Sequence, residues 1–148
     1  MEAEVYPDPP VSNFISQQFV PVRIHIKEQP TMWKRFNVRW TPTVLVLAPD
    51  GKEVRRIEGF LPQDELLGQL ELALAFLAVE KKDWPVAQRE FERVIERFPE
   101  TDAGPEALYW SGVAQYSSSH DASVLKALGK KFKERYTETS WAKRASIW

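Results

Sequence analysis

The chain contains no cysteine, which excludes disulfides, thiolate nucleophiles and sulfur-ligated metal from this polypeptide. Histidine is nearly as scarce. His25 and His120 lie far apart with no ligand spacing around either, so no metal site is expected. The six glycines are scattered and form no phosphate-cradling loop, and no cofactor is expected. The longest apolar run, residues 72–79, covers eight positions, against the roughly 20 needed to span a bilayer. A net charge of −1 gives no general attraction to nucleic acid or membrane, and neither is expected as a partner. The opening Met1-Glu2-Ala3-Glu4-Val5-Tyr6 has no charged n-region and no apolar h-region, so we expect a soluble, cytoplasmic chain.

What remains is an ordinary globular composition. With 148 residues, 43% hydrophobic and 28% charged, the chain can bury a core as one unit or two small ones. Its charge is uneven. From Asp121 onward seven Lys or Arg face three acids, a balance of +4, which reads as the solvated face of helices in preference to a site for acidic ligands.

The most ordered local pattern lies at residues 38–51. Thr43-Val44-Leu45-Val46-Leu47 is apolar and β-branched, which predicts a strand covered on both faces. Pro49-Asp50-Gly51 supplies a tight reversal into residues 53–59, making a β-hairpin. Pro42 has no N–H to give a ladder, so it belongs at the strand's first position.

Residues 34–43, the hairpin, Gly59 and a helix from Gln63 together resemble the C-terminal half of a thioredoxin fold, over roughly residues 1–80. The resemblance implies a cis Thr41–Pro42 bond opening a core strand. In that family the cis-proline loop faces a Cys-x-x-C, and the two grip extended peptides. Met1 to Val11, followed by Phe19-Val20-Pro21-Val22, is similar to a branch in which Cys-x-x-C sits a few residues before the position of Met1. On this resemblance the chain starts just after the active site and lacks the first core strand.

Along the chain, residues 1–6 read as the last turns of a helix, stopped by Pro7-Asp8-Pro9-Pro10. Val11, Phe14, Ile15 and Phe19 have helical spacing. Val20, Val22, Ile24 and Ile26 alternate with Pro21, Arg23 and His25, predicting a strand near an edge. Residues 31–36 predict a helix with Met32, Trp33 and Phe36 inward. The helix over residues 63–82 is amphipathic at first and then apolar all round, so it is expected to belong to two layers. The domains expected are therefore a thioredoxin-like lobe at residues 1–80 and helical hairpins at residues 64–148, sharing that helix. The fold class is α/β: an incomplete thioredoxin-like sheet with helices, fused to an all-α lobe.

The second lobe repeats itself. Glu96-Arg97-Phe98-Pro99-Glu100-Thr101 recurs 38 residues later as Glu134-Arg135-Tyr136-Thr137-Glu138-Thr139, and Ala107 and Trp110 recur at the same offset as Ala145 and Trp148. Leu74, Ala75, Ala87, Phe91, Val94 and Pro99, then Leu108, Gly112 and Tyr116, resemble tetratricopeptide hairpins. The second unit departs from that pattern, with Leu125 and Gly129 where Ala87 and Phe91 stand. Helices are predicted over residues 85–98, 105–118, 122–136 and 141–148, with N-caps at Asp83, Asp121 and Ser140.

Chemistry is mostly absent. Ser119-His120-Asp121 has the letters of a triad, but sequence neighbours on a loop do not point at one another. Asp50 and Glu53 flank a reversal, where a catalytic cleft is not expected. Among six tryptophans, Trp40 admits two readings, a core filler or an exposed contact beside Thr41-Pro42. The residues that remain candidates are peptide-binding: Trp40, Thr41 and Pro42. Two functions follow. One is a noncatalytic module that binds protein or peptide; the other is the C-terminal part of a thiol-disulfide oxidoreductase whose Cys-x-x-C lies upstream. Glutathione-binding relatives are a weaker analogy, having a larger helical domain without this repeat. In the thioredoxin order the missing strand would lie between residues 20–26 and 43–47. We expect that gap to be met by pairing between chains, a homo-oligomer through unpaired strand edges, in preference to direct closure or partial disorder.

Overall fold

The computed structural model describes residues 4–148. Its elements are α1 (Pro9–Gln18), α2 (Pro30–Arg35), β1 (Thr43–Leu47), β2 (Glu53–Glu58), α3 (Gln63–Glu80), α4 (Trp84–Arg97), α5 (Ala103–Ser119), α6 (Ser123–Arg135) and α7 (Ser140–Ala145). The sheet is incomplete, as the resemblance implies, and it is fused to a helical lobe. Among the described residues, no helix is long and apolar enough to cross a membrane.

β1 and β2 pair antiparallel, Val44 opposite Ile57 and Leu45 opposite Arg56, with a register shift between Val46 and Leu47. The reversal is closed by Gly51 N–H on Ala48 O at 2.8 Å and by Lys52 N–H on Asp50 Oδ1 at 3.0 Å. Gly51 has φ +84°, a conformation that costs glycine nothing. Two expectations fail here. The residues of β1 are not covered on both faces: only Val46 is buried, and the other four are half-buried. The predicted strand at residues 20–26 does not form, because a strand needs a hydrogen-bonded neighbour and, among the described residues, β1 is paired only with β2. Residues 19–25 run instead without turn, bend or helix. The helix predicted for residues 1–6 is a turn over residues 4–7, and residues 1–3 lie outside the described residues.

α3 joins two cores. Leu66, Leu67, Leu70 and Ala73 pack with Val11, Val46 and Ile57. Leu72, Ala75 and Ala78 turn the other way and pack with Ala87, Phe91, Val94 and Ala107. An interior helix with apolar residues on every side has no solvated face to present, which is why its second half reads as uniformly apolar. A third, smaller core of Leu108, Leu128, Phe132 and Ala145 holds α6 and α7 on α5.

The 38-residue repeat is a repeated helix exit. α4 ends at Phe98 with φ −129°, ψ 47°, and α6 ends at Tyr136 with φ −128°, ψ 41°. In each, the threonine three residues on donates its hydroxyl to the aromatic residue's carbonyl at 2.8 Å. In each, the preceding arginine lies over the aromatic ring, Arg97 on Phe98 at 5.1 Å and Arg135 on Tyr136 at 5.3 Å. The same residues thus perform the same turn twice. The caps differ from expectation in two places. Asp83 caps α4 through Val86 N–H, but Thr139, not Ser140, caps α7, accepting from Ala142 N–H at 3.1 Å. Asp121 accepts from Ser123 N–H one position ahead of the cap residue Ala122. A hydroxyl at Thr139 already serves both bonds, which leaves Ser140 inside the helix.

Gly104 lies at the first turn of α5 where the two exits meet. A Cβ there would stand 2.7 Å from Pro99 O, 2.9 Å from Tyr136 Oη and 3.0 Å from Phe98 O. Two of these atoms are backbone, and the third donates to Pro99 O at 2.9 Å, so none can withdraw freely. Gly104→Ala should therefore cost about 1–3 kcal/mol. Urea denaturation checks it, and an unchanged midpoint would show that the exits can open.

Candidate functional site

The loop at Trp40-Thr41-Pro42 is held at both ends. α2 starts at Pro30, whose fixed φ suits a first helical position, and ends at Phe36. Asn37 then takes φ +48°, turning the chain so that Val38 N–H reaches Trp33 O at 3.1 Å. Phe36 O accepts from Arg56 Nη2 at 2.6 Å, tying this end to β2. At the other end Thr43 Oγ1 donates to Trp40 O at 2.7 Å, and Gly59 N–H donates to Pro42 O at 2.8 Å. The Thr41–Pro42 peptide is cis.

Arg56 is fixed in turn by Glu53, through Nε at 2.9 Å and Nη2 at 2.7 Å. These hydrogen bonds hold the Glu53 carboxyl below its ordinary range. Between its two anchors the loop stands out. Trp40 is 69% exposed, Thr41 is exposed and Pro42 is half-buried. Of the two readings of Trp40, the core filler is therefore excluded, whereas Trp33 is half-buried and Trp84, Trp110, Trp141 and Trp148 are half-buried against the helical cores.

The other residues singled out by sequence do not assemble. Ser119 Oγ donates to Gln115 O, Asp121 accepts from Ser123 N–H just ahead of α6, and His120 closes α5 in the left-handed region; this is a turn. Asp50 accepts its own turn's amide, and Glu53 is engaged by Arg56. Among the described residues, no group of three or more His, Asp or Glu could hold a metal.

Sequence reasoning missed one half-buried polar cluster. Arg55, from β2, reaches Glu106 of α5 with two bonds at 2.7 Å and Gln69 of α3 through Nε at 2.9 Å. It beds between the hairpin and the helices, beside a cleft of about 560 Å³ lined by Asp102, Glu138 and Trp141. Arg55 and Glu106 are 51 positions apart, and no spacing rule connects them. The alternation at residues 20–26 does not make the apolar strand face expected of it: Val20 and Val22 are 92% and 77% exposed. No curated protein and no solved structure matches the chain. The family described as Thioredoxin-like domain matches residues 1–74, half of the chain.

Proposed function

The chain belongs to the thioredoxin-like domain family, and from that premise we propose that it is a noncatalytic module binding extended segments of protein or peptide through Trp40, Thr41 and Pro42. The observation that carries the proposal is the exposure of Trp40, 69%, on a loop tied down at Phe36 and Pro42. A large aromatic held in water by a fixed loop offers contact area without an ordering cost on binding. Disulfide exchange needs a thiolate, and this chain has no cysteine, so no catalytic residue is assigned.

We read the helical lobe as tetratricopeptide-like and as a second contact surface of the same module. The twice-used exit at Phe98 and Tyr136 supports that reading, as does the small-residue packing of Ala75, Ala87 and Ala107.

The test is a displayed library of linear peptides panned against the full chain, with selected peptides titrated against Trp40→Ala. Affinity should fall about 30-fold, the loss of one aromatic anchor, with thermal stability unchanged because Trp40 is exposed. Equal affinities for the two proteins would reject the loop as the contact.

A second reading is an oxidoreductase whose Cys-x-x-C is encoded ahead of Met1. The segment at residues 19–25, which follows α1 and belongs to no strand of the sheet, favours it, since an additional strand lying against β1 would give both a neighbour. The DNA 5′ of the Met1 codon discriminates: an in-frame strand pattern ending in Cys-x-x-C supports this reading, and an in-frame stop codon rejects it.

A further inference from the structure

The cleft beside Arg55 is walled by alternate helices. Gln69 comes from α3, Glu106 from α5 and Trp141 from α7, with Asp102 and Glu138 just ahead of α5 and α7, and none of the lining comes from α4 or α6. At about 560 Å³ the cleft has the size of a ligand site, roughly 300–1,000 Å³. Three of its side chains are carboxylates.

One of the three already holds a guanidinium. Arg55, arriving from β2 outside the helical lobe, sets its planar fork on Glu106 with two bonds at 2.7 Å and on Gln69 at 2.9 Å, so two residues of the lining grip an arginine head group within the molecule itself. The other two carboxylates have no such task. Acids at helix starts commonly serve as caps, but here other groups do so: Glu65 accepts from Asp102 N–H at 3.1 Å, and Thr139 Oγ1 accepts from Ala142 N–H at 3.1 Å. Asp102 makes no side-chain cap bond, and among the described residues neither Asp102 nor Glu138 has an ion pair. Burial pushes the neighbouring Glu65 carboxyl up, and the charges that act on it, Asp102 and Asp64, are both negative.

Trp141 makes a fixed wall. Its ring packs on Tyr109 at 5.3 Å and under Arg144 at 4.3 Å, and Arg144 is not part of the lining. The carboxylates form no metal-holding group among the described residues, which leaves an organic cation as the fitting occupant.

We propose that this cleft binds arginine side chains of a partner peptide, their guanidinium groups pairing with Asp102 and Glu138 beside the seat that Arg55 fills. The inference rests on the reading of the helical lobe as a contact surface and names what that surface contacts. Arginine suits it better than lysine, because its fork gives a carboxylate two N–H groups at once and its flat stem lies well along an indole.

Two fluorescein-labelled heptapeptides test it against the full chain by anisotropy: one carries two arginines in a serine–glycine background, the other the neutral isostere citrulline in their place. The arginine peptide should bind at least about fivefold tighter at low salt, and the ratio should approach one near 1 M salt, where the screening length is about 3 Å. The double substitution Asp102→Asn, Glu138→Gln should abolish the preference without lowering thermal stability, since both residues are exposed. Glu92→Gln, Glu96→Gln on the exposed face of α4 removes the same charge elsewhere and should leave the preference intact, as should Trp40→Ala. Equal binding of the two peptides would overturn the inference, and so would an equal loss in the α4 control, which would mean bulk charge. Library peptides that still bind the Trp40→Ala protein but carry no arginine would leave the helical lobe a contact surface and overturn only the inference. Loss of all peptide binding in Trp40→Ala would overturn both.

Discussion

Replacing Phe91 by alanine should destabilise the protein by about 3–5 kcal/mol, the loss of a fully buried aromatic plus the cavity it leaves. Phe91 has no exposed surface. It stands at the centre of the contact between α3 and α4, its ring meeting Phe76 edge-on at 5.4 Å, and Phe76 in turn meets Trp110 of α5 at 5.5 Å. The site cannot collapse easily, because its neighbours Ala75, Ala87, Ala103 and Ala107 are already small and fully buried. Backbone from three helices would have to move to close the void. Urea denaturation of the purified variant measures the loss through the shift in midpoint. A loss below about 1 kcal/mol would mean that the helical core can repack around alanine.

Arg55→Leu should cost about 3 kcal/mol, close to the effect at Phe91 but for an electrostatic reason. The Arg55 and Glu106 side chains retain only 19% and 12% of their exposure, and the guanidinium also serves Gln69 and lies 5.9 Å from the Phe76 ring. Removing the arginine leaves a half-buried carboxylate and an amide oxygen without their donor, and a stranded, partly desolvated charge is expensive. The loss belongs mainly to the stranded partner, so the double variant Arg55→Leu, Glu106→Leu should recover most of it. A double-mutant cycle reads the coupling directly. If the two single losses simply add, the pair is not a clamp between β2 and α5.

The elements legible in the sequence are those whose stability is local or periodic. α1 and α3 to α6 follow from apolar spacing, and the two exits at Phe98 and Tyr136 follow from repeated letters that repeat because the dihedrals do. The hairpin follows from Asp50-Gly51. What escaped reading depends on neighbours. Alternation at Val20, Val22, Ile24 and Ile26 states which residues would share a face, but whether they become a strand depends on a partner edge. The residues of β1 read as doubly covered because β-branched runs are commonest in central strands, whereas among the described residues β1 has one strand neighbour. For Thr139 and Ser140 both residue types can cap, and the decision lies in one hydroxyl that also reaches Tyr136 O. At the candidate site, the sequence located Trp40, Thr41 and Pro42 as a unit. It could not orient Trp40, because the outcome turns on Arg56 drawing Phe36 O toward β2, a contact across 20 positions.

α3 extends for 18 residues, about 27 Å at 1.5 Å per residue, and its two halves are embedded in different cores, the first with Val46 and Ile57 of the hairpin and the second with Ala87 and Phe91 of α4. Such a rod acts as a lever. A tilt of about 5° at its N-terminal end displaces the far end by about 2 Å over that length, comparable to the helix shifts that convert one packed arrangement into another. Because Leu70 and Leu72 face different cores within one turn, no bend can absorb the rotation between them. A displacement of the hairpin would therefore reach α4 and α5 through this helix, and a load on α4 or α5 would return along the same axis to the hairpin.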